Sequence, residues 1–220
     1  MQDAIKSKRI PLHSKIKRAR HREIAMAQDI AMETFYLVFP RGVLHGGTAI
    51  WRCYSGNRFS EDIDVYVERD MKKIDKFFET LEKRGFEVIK RRVKENALYS
   101  KLKFGGVEIR FEAIFKRVRG VIREYETYGG NLLNVYTLDP ETMIGEKIDA
   151  YLKRRKIRDL YDIFFLLRFV EKSEGIKPML LKLLRNLRQP VDERELRVLL
   201  LFGAIPDKND MLEYIKRWAR

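Results

Sequence analysis

The stretch Gly46-Gly-Thr-Ala-Ile-Trp-Arg-Cys-Tyr-Ser-Gly-Asn-Arg-Phe-Ser-Glu-Asp-Ile-Asp64 decides how this chain is read. It continues as Val65-Tyr-Val-Glu68, so acidic and apolar residues alternate at period two from Glu61 onward, the pattern of a half-buried strand. Side chains two apart on a strand share a face. Asp62 and Asp64 therefore project together, with Ile63 and Val65 turned the other way. Two carboxylates on one strand face make a hard oxygen site suited to Mg²⁺ or Mn²⁺. Upstream, Gly46-Gly47 permits close backbone approach, and a helix beginning at about Thr48 offers unpaired N–H groups to a phosphate. Thr48 adds a hydroxyl donor. A phosphate cradle beside a cation-binding strand is what nucleotidyl transfer requires.

Working outward, Val43-Leu44 is a short apolar approach to the diglycine, with His45 at its end as a packing residue or minor substrate contact. Met71–Arg84 reads as an amphipathic helix closed by Gly85. Strands follow around Phe86–Val93 and Ser100–Phe104, and Gly105-Gly106 turns the chain into a third, Val107–Phe115. This last strand sets Glu108, Arg110 and Glu112 on one face. Glu112 is the better candidate for a third metal carboxylate and Glu108 the weaker; an arginine between two acids also reads as a surface ion-pair ladder. Residues 1–39 read as helical. Their basic half (Lys6, Lys8, Arg9, Lys15, Lys17, Arg18, Arg20, Arg22) is either a solvated face or a phosphate-contacting arm.

At Asp139-Pro140 an N-cap residue and a proline suited to the first helical position open a helix, and helical patterning runs from there to Arg220. Leu160, Ile163, Phe164 and Leu167 make one apolar stripe. The expected fold class is α+β: a mixed sheet flanked by helices in residues 1–138, then an all-helical lobe in residues 139–220.

Composition agrees. With 46 Lys+Arg against 32 Asp+Glu, the net charge of +14 favours a polyanionic partner such as RNA, DNA or nucleotide phosphates. One cysteine, Cys53, excludes an internal disulfide framework and a cysteine-rich zinc site; it reads as a buried small hydrophobe, as Trp51 and Tyr54 read as core. No run of 18 apolar residues exists and the basic start lacks the apolar segment of a secretory signal, so a cytoplasmic protein without a membrane span is expected.

The Gly-Gly-Thr followed by Arg58-x-Ser60-x-Asp62-x-Asp64 resembles the first signature of the DNA polymerase β-type nucleotidyltransferases, in the form carried by the AbiEii/AbiGii toxin family. Downstream, Glu146-Lys147 and Arg158-Asp159-x-x-Asp162 are similar to that family's later motifs, and the resemblance covers roughly residues 37–170. It implies metal-dependent transfer of a nucleoside monophosphate from an NTP to an acceptor. Toxin relatives modify the 3′ end of tRNA and are paired with an antitoxin. On this likeness Gly46, Gly47 and Thr48 would hold the triphosphate, with Asp62 and Asp64 on the metals. Ser60 would support the loop or contact a phosphate; Arg58 would contact phosphate or instead pair with nearby carboxylates. Lys147 would neutralise triphosphate charge; Asp159 or Asp162 would orient it, contact the nucleotide or act as base.

From the residues alone, Asp159 could equally be a helix cap and Lys147 a snorkelling surface lysine, and Arg158 reads as charge-balancing. The family's third carboxylate is usually Asp, so Glu112 puts rate and metal preference in question more than reaction class. The competing readings are nucleotidyl transfer to a protein or small-molecule hydroxyl, and a non-catalytic nucleotide- or RNA-binding module.

Overall fold

The computed structural model describes residues 11–171 and 173–220; Lys6, Lys8 and Arg9 lie outside them. Their order is α1 (Leu12–Lys15), α2 (Ala19–Val38), β1 (Val43–His45), α3 (Gly46–Cys53), β2 (Ile63–Val67), α4 (Met71–Lys83), β3 (Phe86–Val93), β4 (Ala97–Phe104), β5 (Val107–Phe115), β6 (Val121–Glu126), β7 (Leu132–Thr137), α5 (Pro140–Arg154), α6 (Ile157–Leu166), α7 (Ser173–Arg185), α8 (Leu196–Leu199) and α9 (Lys208–Trp218). The strands form one mixed sheet in the order β3-β4-β5-β2-β1-β7-β6. β2 runs antiparallel to β1 and parallel to β5, while β1 runs parallel to β7. The fold is α+β, as the patterning indicates.

Period-two alternation decides which face of the sheet is core. Ile63, Val65 and Val67 of β2, Leu98 and Leu102 of β4, and Ile109, Phe111 and Ala113 of β5 are all buried. Helices α2 and α4 cover that face: Phe111 lies 5.7 Å from the ring of Phe35 and 4.7 Å from that of Phe77. The opposite face carries Asp64 and Tyr66 of β2, Tyr99 and Lys101 of β4, and Glu108, Arg110 and Glu112 of β5.

One expectation changes, and two further strands appear. The N-terminal helix is broken: Ile16 sits between α1 and α2 in extended backbone, fully buried, and its carbonyl accepts from Arg22 Nε at 2.8 Å. Burying that isoleucine outweighs the helix propensity around it. Strands β6 and β7 have no clean alternation, because β6 is an edge strand with its first four residues exposed. Elsewhere local signals hold. Asp139 caps α5 by accepting from Thr142 N at 2.8 Å, with Pro140 at its start.

The turn between α5 and α6 is tight. Arg155 adopts the left-handed conformation, φ +53°, which sends α6 back along α5. No side chain of its own caps α6; Asp192 instead accepts from Ile157 N at 2.7 Å. Arg52, fully buried in α3, ties three elements together, donating to the carbonyls of Ala25 and Glu126 and pairing with Asp29 at 3.2 Å.

Candidate active site

The glycine turn is built by its neighbours. Gly46 has φ +72°, a conformation natural to glycine, and a Cβ there would collide with the Asp64 carboxylate. A Cβ on Gly47 would lie 2.5 Å from Ser60 Oγ and 2.7 Å from Arg58 Nη2. The backbone of the turn thus lies directly against the acidic strand and the loop before it. No side chain caps α3, so its first-turn N–H groups are not taken by a capping residue.

Residues 54–62 are strapped down from several directions. The Thr48 hydroxyl donates to the Asp62 carbonyl, and Gln28 Nε2 donates to the Ser60 carbonyl at 2.9 Å. Thr48 is fully buried, so its hydroxyl fixes this loop. The C-terminal helices contribute as well: Phe59 N donates to Leu199 O at 3.0 Å, and Leu201 N to Asn57 O at 2.8 Å.

The strongest tie is ionic. Arg58 donates from Nε and Nη2 to the two oxygens of Asp162, both at 2.8 Å, and from Nη1 to its neighbour's carbonyl, Phe59 O, at 3.0 Å. Of the two readings of Arg58, pairing with a carboxylate is the one the geometry displays. Lys147 Nζ joins the same carboxylate at 2.8 Å. Lys147 is itself buried, so it is no snorkelling surface residue. Burial pushes the Asp162 carboxyl up, but Arg58 and Lys147 together outweigh that and hold it below the usual carboxylate range. Asp159, also fully buried, receives Arg154 through two hydrogen bonds of 2.7 Å, with Lys147 3.9 Å away. It lies in the first turn of α6 and caps nothing. Among the described residues no ion pair within 4 Å engages Arg158, so the expected charge-balancing role finds no carboxylate there, and its Nε is buried without a hydrogen-bond partner.

The carboxylates of the sheet face fall into register. Asp64 is opposite His45 on β1 and opposite Glu112 on β5. Burial raises the Asp64 carboxyl above its ordinary value, with Asp62 adding repulsion against the pull of His45 and Lys147. Burial raises Glu112 too, assisted by Asp64 and Asp62. Glu108 lies off the site, paired with Lys101 at 2.5 Å. Arg110, one face position before Glu112, donates to both oxygens of Asp62 at 2.8 Å. The strand thus carries ion pairs at Glu108 and Arg110, while Glu112 lies in register with Asp64.

Sequence reasoning passed over a flanking cluster. Tyr66 shares the face of Asp64, stacks on His45 with ring centres 3.9 Å apart, and donates to Glu146 Oε1 at 2.5 Å. His45 Nδ1 lies 3.3 Å from Glu146 Oε2. Burial raises the Glu146 carboxyl, but the bonds from His45 and Tyr66, with Lys147 nearby, leave it lowered overall. Period two from Asp64 would have found Tyr66, and Glu146 adjoins Lys147 in the motif.

A divalent cation can be tested against this donor set. Asp64 and Glu112 are oxygen donors on adjacent strands, with Asp62 just before β2, and their mutual repulsion suits a cation between them. As arranged, Arg110 occupies both oxygens of Asp62, and no three acidic, histidine or cysteine side chains among the described residues converge to hold a metal. The donor chemistry fits, with Arg110 standing in as the cation that Asp62 now pairs with.

A buried lysine-carboxylate clamp, a glycine turn pressed on an acidic strand and a mixed sheet are thus brought together. The family comparison gives the class of protein that carries them. The sequence model described as "Nucleotidyl transferase AbiEii toxin, Type IV TA system" matches residues 31–217, and the chain belongs to this family of nucleotidyltransferase toxins. A comparison with curated proteins gives no significant match.

Among solved structures, the chain is similar to the nucleotidyltransferase toxin MenT4 of Mycobacterium tuberculosis H37Rv, at 18% identity and a TM-score of 0.64 over 92% of this chain and 84% of that one. It is also similar to JHP933 of Helicobacter pylori, at 18% identity and a TM-score of 0.60 over 90% of each chain. At such identities the likeness is one of fold. No helix among the described residues is long and apolar enough to cross a membrane.

Proposed function

We propose that this nucleotidyltransferase moves a nucleoside monophosphate from an NTP to a hydroxyl of RNA, with the 3′ end of tRNA as the acceptor, and that a cognate antitoxin restrains it in the cytoplasm. The juxtaposition of the Gly46-Gly47 turn with Asp64, beside Glu112 on the next strand and Lys147 above, is the observation that carries this reading.

In this account the turn and the first N–H groups of α3 seat the triphosphate. Lys147, held by Asp162, neutralises phosphate charge, and Ser60 borders the turn. Asp62, Asp64 and Glu112 would hold Mg²⁺ or Mn²⁺, which when bound supplies charge neutralisation on the phosphates and activation of the acceptor hydroxyl. The acceptor oxygen bonds to the α-phosphorus and pyrophosphate leaves. The hydroxyl proton passes to a carboxylate of the cluster. Asp159 and Asp162 are buried beneath Arg154, Arg58 and Lys147, which supports a positioning role for both.

The net charge of +14 favours an RNA acceptor over a small molecule. Purified protein incubated with each α-labelled NTP, Mg²⁺ and total tRNA should transfer label to RNA. Label appearing only on protein, or on a small hydroxyl compound, would overturn the choice of acceptor.

A further inference from the structure

Beside the carboxylates, the active-site face of the sheet stays open across β5, β4 and β3. On β4 the even positions Leu98, Ser100 and Leu102 are buried, whereas Tyr99 is 40% exposed. The register aligns Glu112 of β5 with Tyr99 of β4 and Tyr99 with Arg92 of β3. Neighbouring strands lie about 4.8 Å apart, so this row runs roughly 10 Å outward from the acidic cluster. In the adjacent row, Arg110 faces Lys101 and Lys101 faces Lys90. Lys94 Nζ lies 5.3 Å from the Tyr99 ring centre.

The cations divide into two sets. Lys101 and Arg110 are spent on Glu108 and Asp62. Lys90 and Arg92 are exposed and make no ion pair among the described residues. Charge on an edge strand commonly serves to deter pairing with another sheet. That need does not explain Tyr99, an exposed aromatic on an interior strand, set between unpaired cations and the carboxylates. An aromatic face for a base, cations for the backbone and a terminal reaction site are the components of a single-strand binding track.

We propose that the open face of β3 and β4 seats the single-stranded 3′ segment of the acceptor RNA, with a base stacked on Tyr99, its phosphates on Lys90, Arg92 and Lys94, and the terminal hydroxyl delivered to Glu112 and Asp64. The inference rests on the nucleotidyltransferase reading of that acidic cluster and names the surface that brings its acceptor. The occupant is nucleic acid rather than an acidic peptide because the row offers a ring to stack on between its cations and the carboxylates.

The test is fluorescence anisotropy of a labelled ten-nucleotide RNA with an unpaired 3′ end, in the absence of NTP, on the full chain. Tyr99→Ala should weaken binding about 5- to 150-fold, the range seen when a stacking aromatic is removed, while Tyr99→Phe stays within about threefold of wild type. The double variant Lys90→Glu with Arg92→Glu should reduce the slope of log affinity against log salt by about 1.4, two contacts at roughly 0.7 each. Wild-type affinity in Tyr99→Ala together with an unchanged slope in the double variant would overturn the proposal, even with transfer to RNA intact. Competition by polyglutamate that is indifferent to Tyr99→Ala would overturn it in favour of a protein partner. Absence of transfer with every NTP would instead count against the nucleotidyltransferase reading, and the anisotropy would still judge the surface.

Discussion

Replacing Asp162 with alanine separates scaffold from chemistry at this site. Its carboxylate receives two hydrogen bonds from Arg58 and one from Lys147, each 2.8 Å, and its side chain is fully buried. Truncation would leave the Arg58 guanidinium, 5% exposed, with one remaining bond to Phe59 O. Breaking a buried pair by removing one partner costs about 3–5 kcal/mol, because the other charge stays desolvated. For a chain of this length each kcal/mol shifts Tm by roughly 2–4 °C. The expected loss is therefore on the order of 6–20 °C in thermal unfolding followed by circular dichroism, with transfer abolished as the Arg58 loop and Lys147 are released.

The pH dependence has a definite sign. The folded-state carboxyl of Asp162 lies below its ordinary value, so its stabilisation is fully present above the unfolded pKa near 3.9 and is lost as pH falls through the lower, folded value. The stability difference between wild type and Asp162→Asn should accordingly shrink in acid. A variant that melts within about 2 °C of wild type yet cannot transfer would refute the reasoning and place Asp162 in the chemistry itself.

Other sites give sharper single outcomes. Gly47→Ala must displace Ser60 Oγ and an Arg58 already pinned by Asp162, so kcat/KM should fall about tenfold or more; an unchanged value would mean the turn does not seat the triphosphate. Asp64→Asn should abolish transfer yet raise the urea midpoint at pH 7. Its raised carboxyl costs stability while ionised, and that cost is relieved as pH falls through the folded pKa, so the gap to wild type should narrow in acid. An Asn variant less stable than wild type at pH 7 would show that His45 and Lys147 more than offset the burial. Asp192→Ala removes the cap on Ile157 N and should cost about 1–2 kcal/mol in urea unfolding, whereas a change within 0.3 kcal/mol or so would show that water replaces it.

Alternation from Glu61 to Glu68 placed Asp62 and Asp64 on one face before any coordinates, because a strand has a fixed period of two and Ile63 and Val65 need a core. Asp139-Pro140 opened α5 for an equally local reason, a cap and a ring-fixed φ. Cys53, expected as a buried small hydrophobe, is instead half-buried against the core, where desolvation pushes its thiol up to about 12. Partners distant in sequence were not available to such arguments. That Arg58 meets Asp162 across 104 positions, and Arg110 meets Asp62 across 48, follows only once α6 folds back on α5 and β5 docks beside β2.

The break at Ile16, the cap lent by Asp192 and the strands β6 and β7 belong to the same class. Each is settled by what a neighbouring element buries or offers, and a linear pattern carries no record of that neighbour. The residue types and their spacing on single elements were thus determined by the sequence. Which carboxylate each cation claims was decided by tertiary packing, since Coulombic and hydrogen-bond energies depend on distances that only the assembled fold sets.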